Sequence, residues 1–340
     1  MPTASKNRLR RLPLLGLLLA LPAAYLLYLA LSLALLPAVA DLKDPGHSLS
    51  IEIRDWQGGD HSFLLGPGNP RWTPIERIPA AMKWAVVVAE DARFYQHQGI
   101  DLQALRQAIE YDLKHKRLAR GASTITQQLA KNLYLGREKT LTRKLKEFYL
   151  AYRLEQTLSK ERILELYLNL IEVGPLVHGV GEGARYYFGK PASALTPAEC
   201  AFLAAMLPGP RLAYNPYRNL ARVERRAERI LRFMRQRGVL SATDYQLALA
   251  SPPNIAGLQR KVDQSLVELG TEPGVPTEAP EEADLDPPLD QDAAQMPDTA
   301  PAPGESHAAP AETPAETPAV VPAAEPTPAA PPAPAPVAGD

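Results

Sequence analysis

Hydrophobic and polar positions divide the chain into three stretches. From Leu12 to Ala40 there is no Asp, Glu, Lys or Arg. That run exceeds both the roughly 20 residues that cross a bilayer and the roughly 7–15 of a secretory signal core, so it predicts a membrane-spanning helix over 12–40. Pro22 is tolerated inside such a span. Ala38-Val39-Ala40 resembles a small-residue cleavage site, but the length argues for an uncleaved anchor. Over 42–250 apolar residues recur at helical spacing, as in Ile125, Leu129 and Leu133, and in Leu141, Leu145 and Tyr149. Thr124 with Gln127, and Thr196-Pro197 with Glu199, fit capping boxes. Pro79 can open a helix whose apolar side is Met82, Val86 and Ala89, and Gly99 and Gly238 sit where helices should stop. Only SIEIRDWQ near Ser50 alternates like a strand. The pattern predicts a mainly α domain without internal repeats. From 251 to 340 the chain has no Phe, Trp or Tyr and holds 20 of the 35 prolines, which predicts an extended, disordered tail.

Charge sharpens this division. The formal net charge is −1, yet the 14 acidic residues from Thr271 onward have no Lys or Arg among them. The 37 basic and 24 remaining acidic residues give positions 1–270 a charge of +13. A basic body suits a phosphorylated or membrane-surface partner. Nucleic acid is not expected, because no zinc-finger spacing, RNA-binding motif or basic tract with aromatic platforms occurs. Lys6, Arg8, Arg10 and Arg11 form a basic flank over 1–11, which places that end in the cytoplasm and everything after Asp41 outside. Cys200 is the single cysteine and lies in the apolar run AECAFLAAML, so it reads as a small buried hydrophobe. The six histidines show no zinc-ligand spacing.

Three segments carry candidate chemistry. Glu90 follows the apolar run Val86–Ala89. A carboxylate held against apolar surface has a raised pKa, which suits proton transfer. The blander account makes Glu90 and Asp91 a solvated helix end or a pair bonded to Arg93. On a helix, Ser123, Gln127 and Lys131 form a polar stripe opposite Ile125, Leu129 and Leu133. With the amides of that helix's N-terminus, the stripe suits a pyrophosphate or sugar hydroxyls, or it is simply the solvated side of a capped helix. Lys139, Arg143 and Glu147 recur at i, i+4 and i+8, either as a surface ladder worth about 0.3–0.5 kcal/mol per pair or as a second carboxylate flanked by cations.

The wording of these segments, in order, is more specific than any one of them. Glu90-Asp91-x-x-Phe94-x-x-His97-x-Gly99 is followed by Gly121-Ala-Ser-Thr-Ile-Thr-Gln-Gln-x-x-Lys131-Asn132 and by Arg143-Lys144-x-x-Glu147. Lys160 to Asn169 and then Gly179 to Lys190 complete the series. Across about 70–240 the chain resembles the family 51 glycosyltransferases, the peptidoglycan polymerases found alone or fused to penicillin-binding domains. The resemblance implies a lysozyme-like fold on the outer face of the cytoplasmic (inner) membrane, single-pass, with lipid II and the growing glycan strand as substrates. It implies Glu90 as general base on the acceptor GlcNAc 4-hydroxyl, release of undecaprenyl pyrophosphate with inversion, and Glu147 as second catalytic carboxylate. It sets Ser123, Thr124, Gln127, Gln128, Lys131, Lys139 and Arg143 at substrate or pyrophosphate contacts. Lys139 stands where Arg is common and lacks its bidentate fork. Gly174-Pro175-Leu176-Val177-His178-Gly179 is less glycine-rich than the family's wording there, which puts that loop's shape in doubt. His97 fits the motif as a structural residue. The sequence requires no cofactor and no metal; the resemblance leaves room for a divalent cation such as Mg.

No Ser-x-x-Lys occurs in the sequence, so the expected enzyme is monofunctional, with separate transpeptidases and division or elongation proteins as candidate partners. A lysozyme-type glycan-cleaving enzyme would use Glu90 but gives no role to Lys131, Lys139 and Arg143. A non-catalytic anchored scaffold working through its tail leaves the motifs without a role.

Overall fold

The computed structural model describes residues 6–54, 59–116, 121–136 and 138–255, without the side chains of 6–19 and 54. A helix, α1 (Lys6–Ala34), precedes a β-hairpin of β1 (Leu49–Arg54) and β2 (Asp60–Leu65). Then come α2 (Ala80–Glu90), α3 (Leu102–His115), α4 (Ile125–Tyr134), α5 (Leu141–Thr157) and α6 (Lys160–Leu170). A second, short hairpin, β3 (Glu172–Gly174) and β4 (Val177–His178), leads to α7 (Val180–Phe188), α8 (Pro197–Met206), α9 (Pro216–Gln236) and α10 (Ala242–Ala250). Both hairpins are antiparallel; in the first, Leu49 faces Leu65 and Ile51 faces Phe63. The mainly α expectation holds.

Helix α8 is the centre of the core. Thr196 and Glu199 close the expected capping box, Pro197 opens the helix, and every side chain from Ala198 to Met206 is buried, Cys200 included. Burial pushes the Cys200 thiol up, so it is no nucleophile at neutral pH. Phe202, Leu203 and Met206 each contribute about 1.5–3 kcal/mol by leaving water. The helix packs against α9 and α2, while α4 packs against α5 and α6. Pro79 caps α2 as expected, and Met82, Ala85, Val86, Val87 and Val88 are its buried face.

Polar groups on α6 tie down the chain before α2. Asn169 accepts from Thr73 N at 2.8 Å and donates to Thr73 O at 2.9 Å, and Glu165 accepts from Ile75 N at 3.0 Å. Arg162 donates to Leu42 O at 2.9 Å and Asp44 O at 3.1 Å. The Lys160–Asn169 motif is therefore largely scaffold.

Several expectations are corrected. The span expected over 12–40 ends as a helix at Ala34. Pro37 lacks an N–H and disfavours helical geometry at Leu36. Val39 and Leu42 are then buried in the domain core, so the chain from Val39 onward belongs to the folded body. Among the described residues no helix is long and apolar enough to cross a membrane. The strand β2 went unforeseen because only Leu65 of its six residues is buried and no alternation shows. Gly238 follows α9 with φ +71°, as expected. Gly99 ends no helix; with φ +84° it turns the chain toward α3, and a Cβ there would come 3.0 Å from Ala151 O. The loop of uncertain shape is a two-residue turn, Pro175-Leu176, in which Leu176 takes φ +60° where a glycine is usual. The tail expected from 251 lies outside the described residues beyond 255.

Candidate active site

Glu90 is the last residue of α2. Its side chain is 13% exposed. Gln128 Nε2 donates to its Oε2 at 3.0 Å, and Tyr167 OH donates to Gln128 Oε1 at 2.9 Å. Tyr167, from α6, is fully buried, and burial with the nearby Glu90 and Asp91 charges holds its phenol well above the usual range, so it stays a donor. The chain Tyr167–Gln128–Glu90 thereby fixes which face of the amide meets the carboxylate. Burial raises the Glu90 pKa, and Asp91 adds to this; Arg226, the Gln128 bond and Lys131 pull the other way. The negative end of the α2 dipole also disfavours its charge. Glu90 thus has the environment of a proton acceptor that works nearer neutrality than a free carboxylate.

Asp91 does a different job. Its carboxylate meets His97 Nε2 at 2.9 and 3.1 Å and accepts Ile125 N at 3.0 Å, joining the end of α2 to the start of α4. A carboxylate at a helix N-terminus is favourable. His97 is structural, as expected. Arg93 pairs with Asp101 at 3.3 Å rather than with Asp91, and Asp101 caps α3 through Ala104 N.

The second carboxylate, Glu147, projects from α5 and is 2% exposed. Arg143 Nη1 donates to its Oε2 at 2.8 Å, and Lys144 Nζ donates to its Oε1 and, at 3.1 Å, to Ser123 Oγ. Lys131 senses both carboxylates: desolvation lowers its pKa, Arg143 and Lys144 lower it further, and Glu147 and Glu90 raise it. Three cations therefore gather around Glu147, and one of them links it electrostatically to Glu90. Such a cluster can receive an oxyanion or a phosphate.

The expected site residues do not all come together. The Lys139–Arg143–Glu147 ladder loses its first rung, because Thr140 caps α5 and leaves Lys139 exposed in the preceding connection, with no ion pair among the described residues. Thr124 and Gln127 close their capping box, which turns Gln127 inward at 1% exposure instead of onto an outer stripe. Thr124 also donates to Gly99 O at 2.6 Å, and Ser123 precedes the helix. The Ile125 and Gln127 amides that open α4 go to Asp91 and Thr124. Of the expected contacts, Ser123, Gln128, Lys131 and Arg143 gather with Glu90 and Glu147.

Sequence reasoning missed Lys144, Tyr167 and Arg226 as members of the site. Lys144 and Tyr167 both lie inside the motif wording, but their spacing assigns neither of them a contact. Arg226 had a legible signal: it stands in the apolar stripe Val223, Ala227, Ile230, Met234 of α9, where an arginine has no place by burial alone.

Asp91, His97 and Asp101 are a group among the described residues whose ligand atoms lie within 4.8 Å of one another. They do not fit Mg, which takes oxygen ligands in octahedral geometry. Here an imidazole and the Arg93 guanidinium occupy the carboxylates. Both Glu147 oxygens are likewise taken by cations.

A sequence profile of the transglycosylase family matches residues 62–235, half of the chain. The chain belongs to the transglycosylase family. This transglycosylase is 50% identical over 161 residues to a biosynthetic peptidoglycan transglycosylase of Nitrosomonas eutropha, covering 47% of this chain and 66% of that protein. It is 47% identical over 161 residues to a protein of the same name from Nitrosospira multiformis, covering 47% of this chain and 70% of that one. Penicillin-binding protein 1A of Neisseria lactamica is 41% identical over 202 residues, 59% of this chain and 25% of that protein. The transglycosylase thus spans about two thirds of the first of these relatives and a quarter of the last. As a family member it is a glycosyltransferase.

Proposed function

We propose that this transglycosylase joins lipid II units into peptidoglycan glycan strands. The observation that supports this best is one desolvated, amide-bonded carboxylate, Glu90, coupled through Lys131 to the cationic cluster at Glu147. Glu90 takes the proton of the acceptor GlcNAc 4-hydroxyl. The oxygen attacks the anomeric carbon of the growing chain, and the bond to undecaprenyl pyrophosphate breaks with inversion. The departing pyrophosphate carries the electron pair and meets Lys131, Arg143 and Lys144, whose charge is fixed in place before the reaction begins. Glu147 holds Arg143 and Lys144 in position and is the second carboxylate of the site.

A strand-cleaving enzyme of lysozyme type needs a carboxyl pair flanking the scissile bond and no cation cluster for a phosphate. The reading therefore favours synthesis. Incubation with purified lipid II tests it: polymer accumulates if the proposal is right, whereas shortening of added glycan strands without polymer formation supports cleavage, and no reaction supports a scaffold.

The proposed site of action is a membrane surface. Leu21, Leu26, Leu27 and Leu31 on α1 are exposed, and Tyr25 OH lies 3.0 Å from Thr142 Oγ1 at the start of α5. Apolar side chains left open beside the helix that carries Glu147 suit a lipid surface. Truncation before Leu36, compared with the full chain in liposomes and in detergent, tests this: equal rates in liposomes contradict it.

A further inference from the structure

Helix α9 holds the end of α2 through two arginines. Arg226 Nη2 donates to Ala89 O at 3.3 Å, and Arg237 Nη1 donates to Ala92 O at 2.7 Å. The same Arg226 nitrogen lies 3.7 Å from Glu90 Oε1. The Arg226 side chain is 1% exposed, and its guanidinium lies 5.6 Å from the Tyr214 ring, itself buried. A guanidinium this deep is expensive to desolvate and cannot shed its proton, unlike a lysine in the same place. Its charge is therefore permanent, and it is presented to one oxygen of Glu90 while Gln128 binds the other.

We propose that Arg226 is a positioning residue for glycosyl transfer: from α9 it holds the Glu90 carboxylate in its attacking orientation and in its unprotonated, base form. The proposal rests on the reading of Glu90 as general base and adds the group that sets its working pH. The charged and titratable groups facing Glu90 are Asp91 on its own strand of chain, Lys131 from α4, Tyr167 from α6 and Arg226 from α9, with Gln128 as the neutral donor. Burial and Asp91 favour the protonated carboxyl; Arg226 is the largest influence against them. Without it, Glu90 holds its proton to higher pH and accepts none from the sugar hydroxyl.

The test compares wild type, Arg226→Lys, Arg226→Met and Glu90→Gln, with kcat/KM for lipid II measured from about pH 5 to about pH 9 and folding checked by thermal unfolding. For Arg226→Met the acid limb moves up by about 1–3 pH units, a loss of about 10–1,000-fold on the acid side that recovers as pH rises. Arg226→Lys, whose shorter side chain withdraws the charge, has its limb between the two. A folded Arg226→Met whose rate falls equally at all pH values, with the limb unmoved, makes Arg226 a purely structural residue and overturns the proposal. If Arg226→Met does not fold, Arg226→Lys decides, and a limb at or below that of wild type overturns it. Turnover by Glu90→Gln sinks the base assignment itself, a separate failure that removes the proposal with it.

Discussion

Replacing Tyr167 by Phe removes one oxygen from the interior and leaves the ring in place. That oxygen donates at 2.9 Å to Gln128 Oε1, so the substitution deletes a buried neutral hydrogen bond and strands a carbonyl. The bond is worth about 1 kcal/mol, and leaving the acceptor unsatisfied costs about 1–3 kcal/mol. The two overlap, so the net loss of stability is about 2 kcal/mol, or about 4–8 °C in Tm for a domain of this size. The catalytic consequence follows from geometry. Only one face of the Gln128 amide can donate to Glu90, and Tyr167 selects it. Losing that selection at the reacting carboxylate costs about 1.4 kcal/mol, or about tenfold in kcat/KM. Thermal unfolding and initial rates of lipid II polymerisation measure both effects. Gln128→Leu, alone and combined with Tyr167→Phe, completes a cycle in which the double variant loses less than the sum. A Tm fall of the stated size with kcat/KM unchanged, or strictly additive losses, would show that Tyr167 is a core tyrosine with no influence on Glu90.

Lys131→Ala and Arg143→Ala each remove a cation that faces Glu147. Each lowers kcat/KM in polymerisation by about tenfold or more, and unchanged kinetics across a substrate titration would make them surface charges. Gly179→Ala destabilises by about 2–5 kcal/mol in denaturant unfolding, because φ +82° and ψ 151° is glycine territory and the new Cβ would sit 2.8 Å from Asn169 O. Because the folded-state pKa of Glu90 is raised, its contribution to stability is full below the ordinary value of 4.5 and is lost as pH rises through the folded value. Thermal stability of wild type therefore declines over that interval relative to Glu90→Gln, and parallel pH profiles would contradict the shift.

What could be read from the residues alone follows the range of the interactions. The boxes at Thr124 and Thr196 close within one turn, so local order was enough to place the starts of α4 and α8. The same short range misled at Gln127, which the box claims before any outer stripe can, and at Lys139, which Thr140 excludes from α5. Glu90 stood out because the apolar run before it foretold its desolvation. Its contacts were not legible: Gln128, Tyr167 and Arg226 come from three different helices, and nothing in the spacing of those residues records the packing of α4, α6 and α9 around the end of α2. The end of α1 was misplaced because hydropathy alone does not separate an exposed leucine of α1 from the Val39 and Leu42 that meet the core.

The central claim is that Glu90 is the base. Glu90→Gln keeps the size of the side chain and removes the oxygen that accepts the proton, so the variant should fold with a Tm near that of wild type and lose polymerisation of purified lipid II by about 100–10,000-fold. Lipid II turnover within about threefold of wild type by the folded variant would contradict the account at its root.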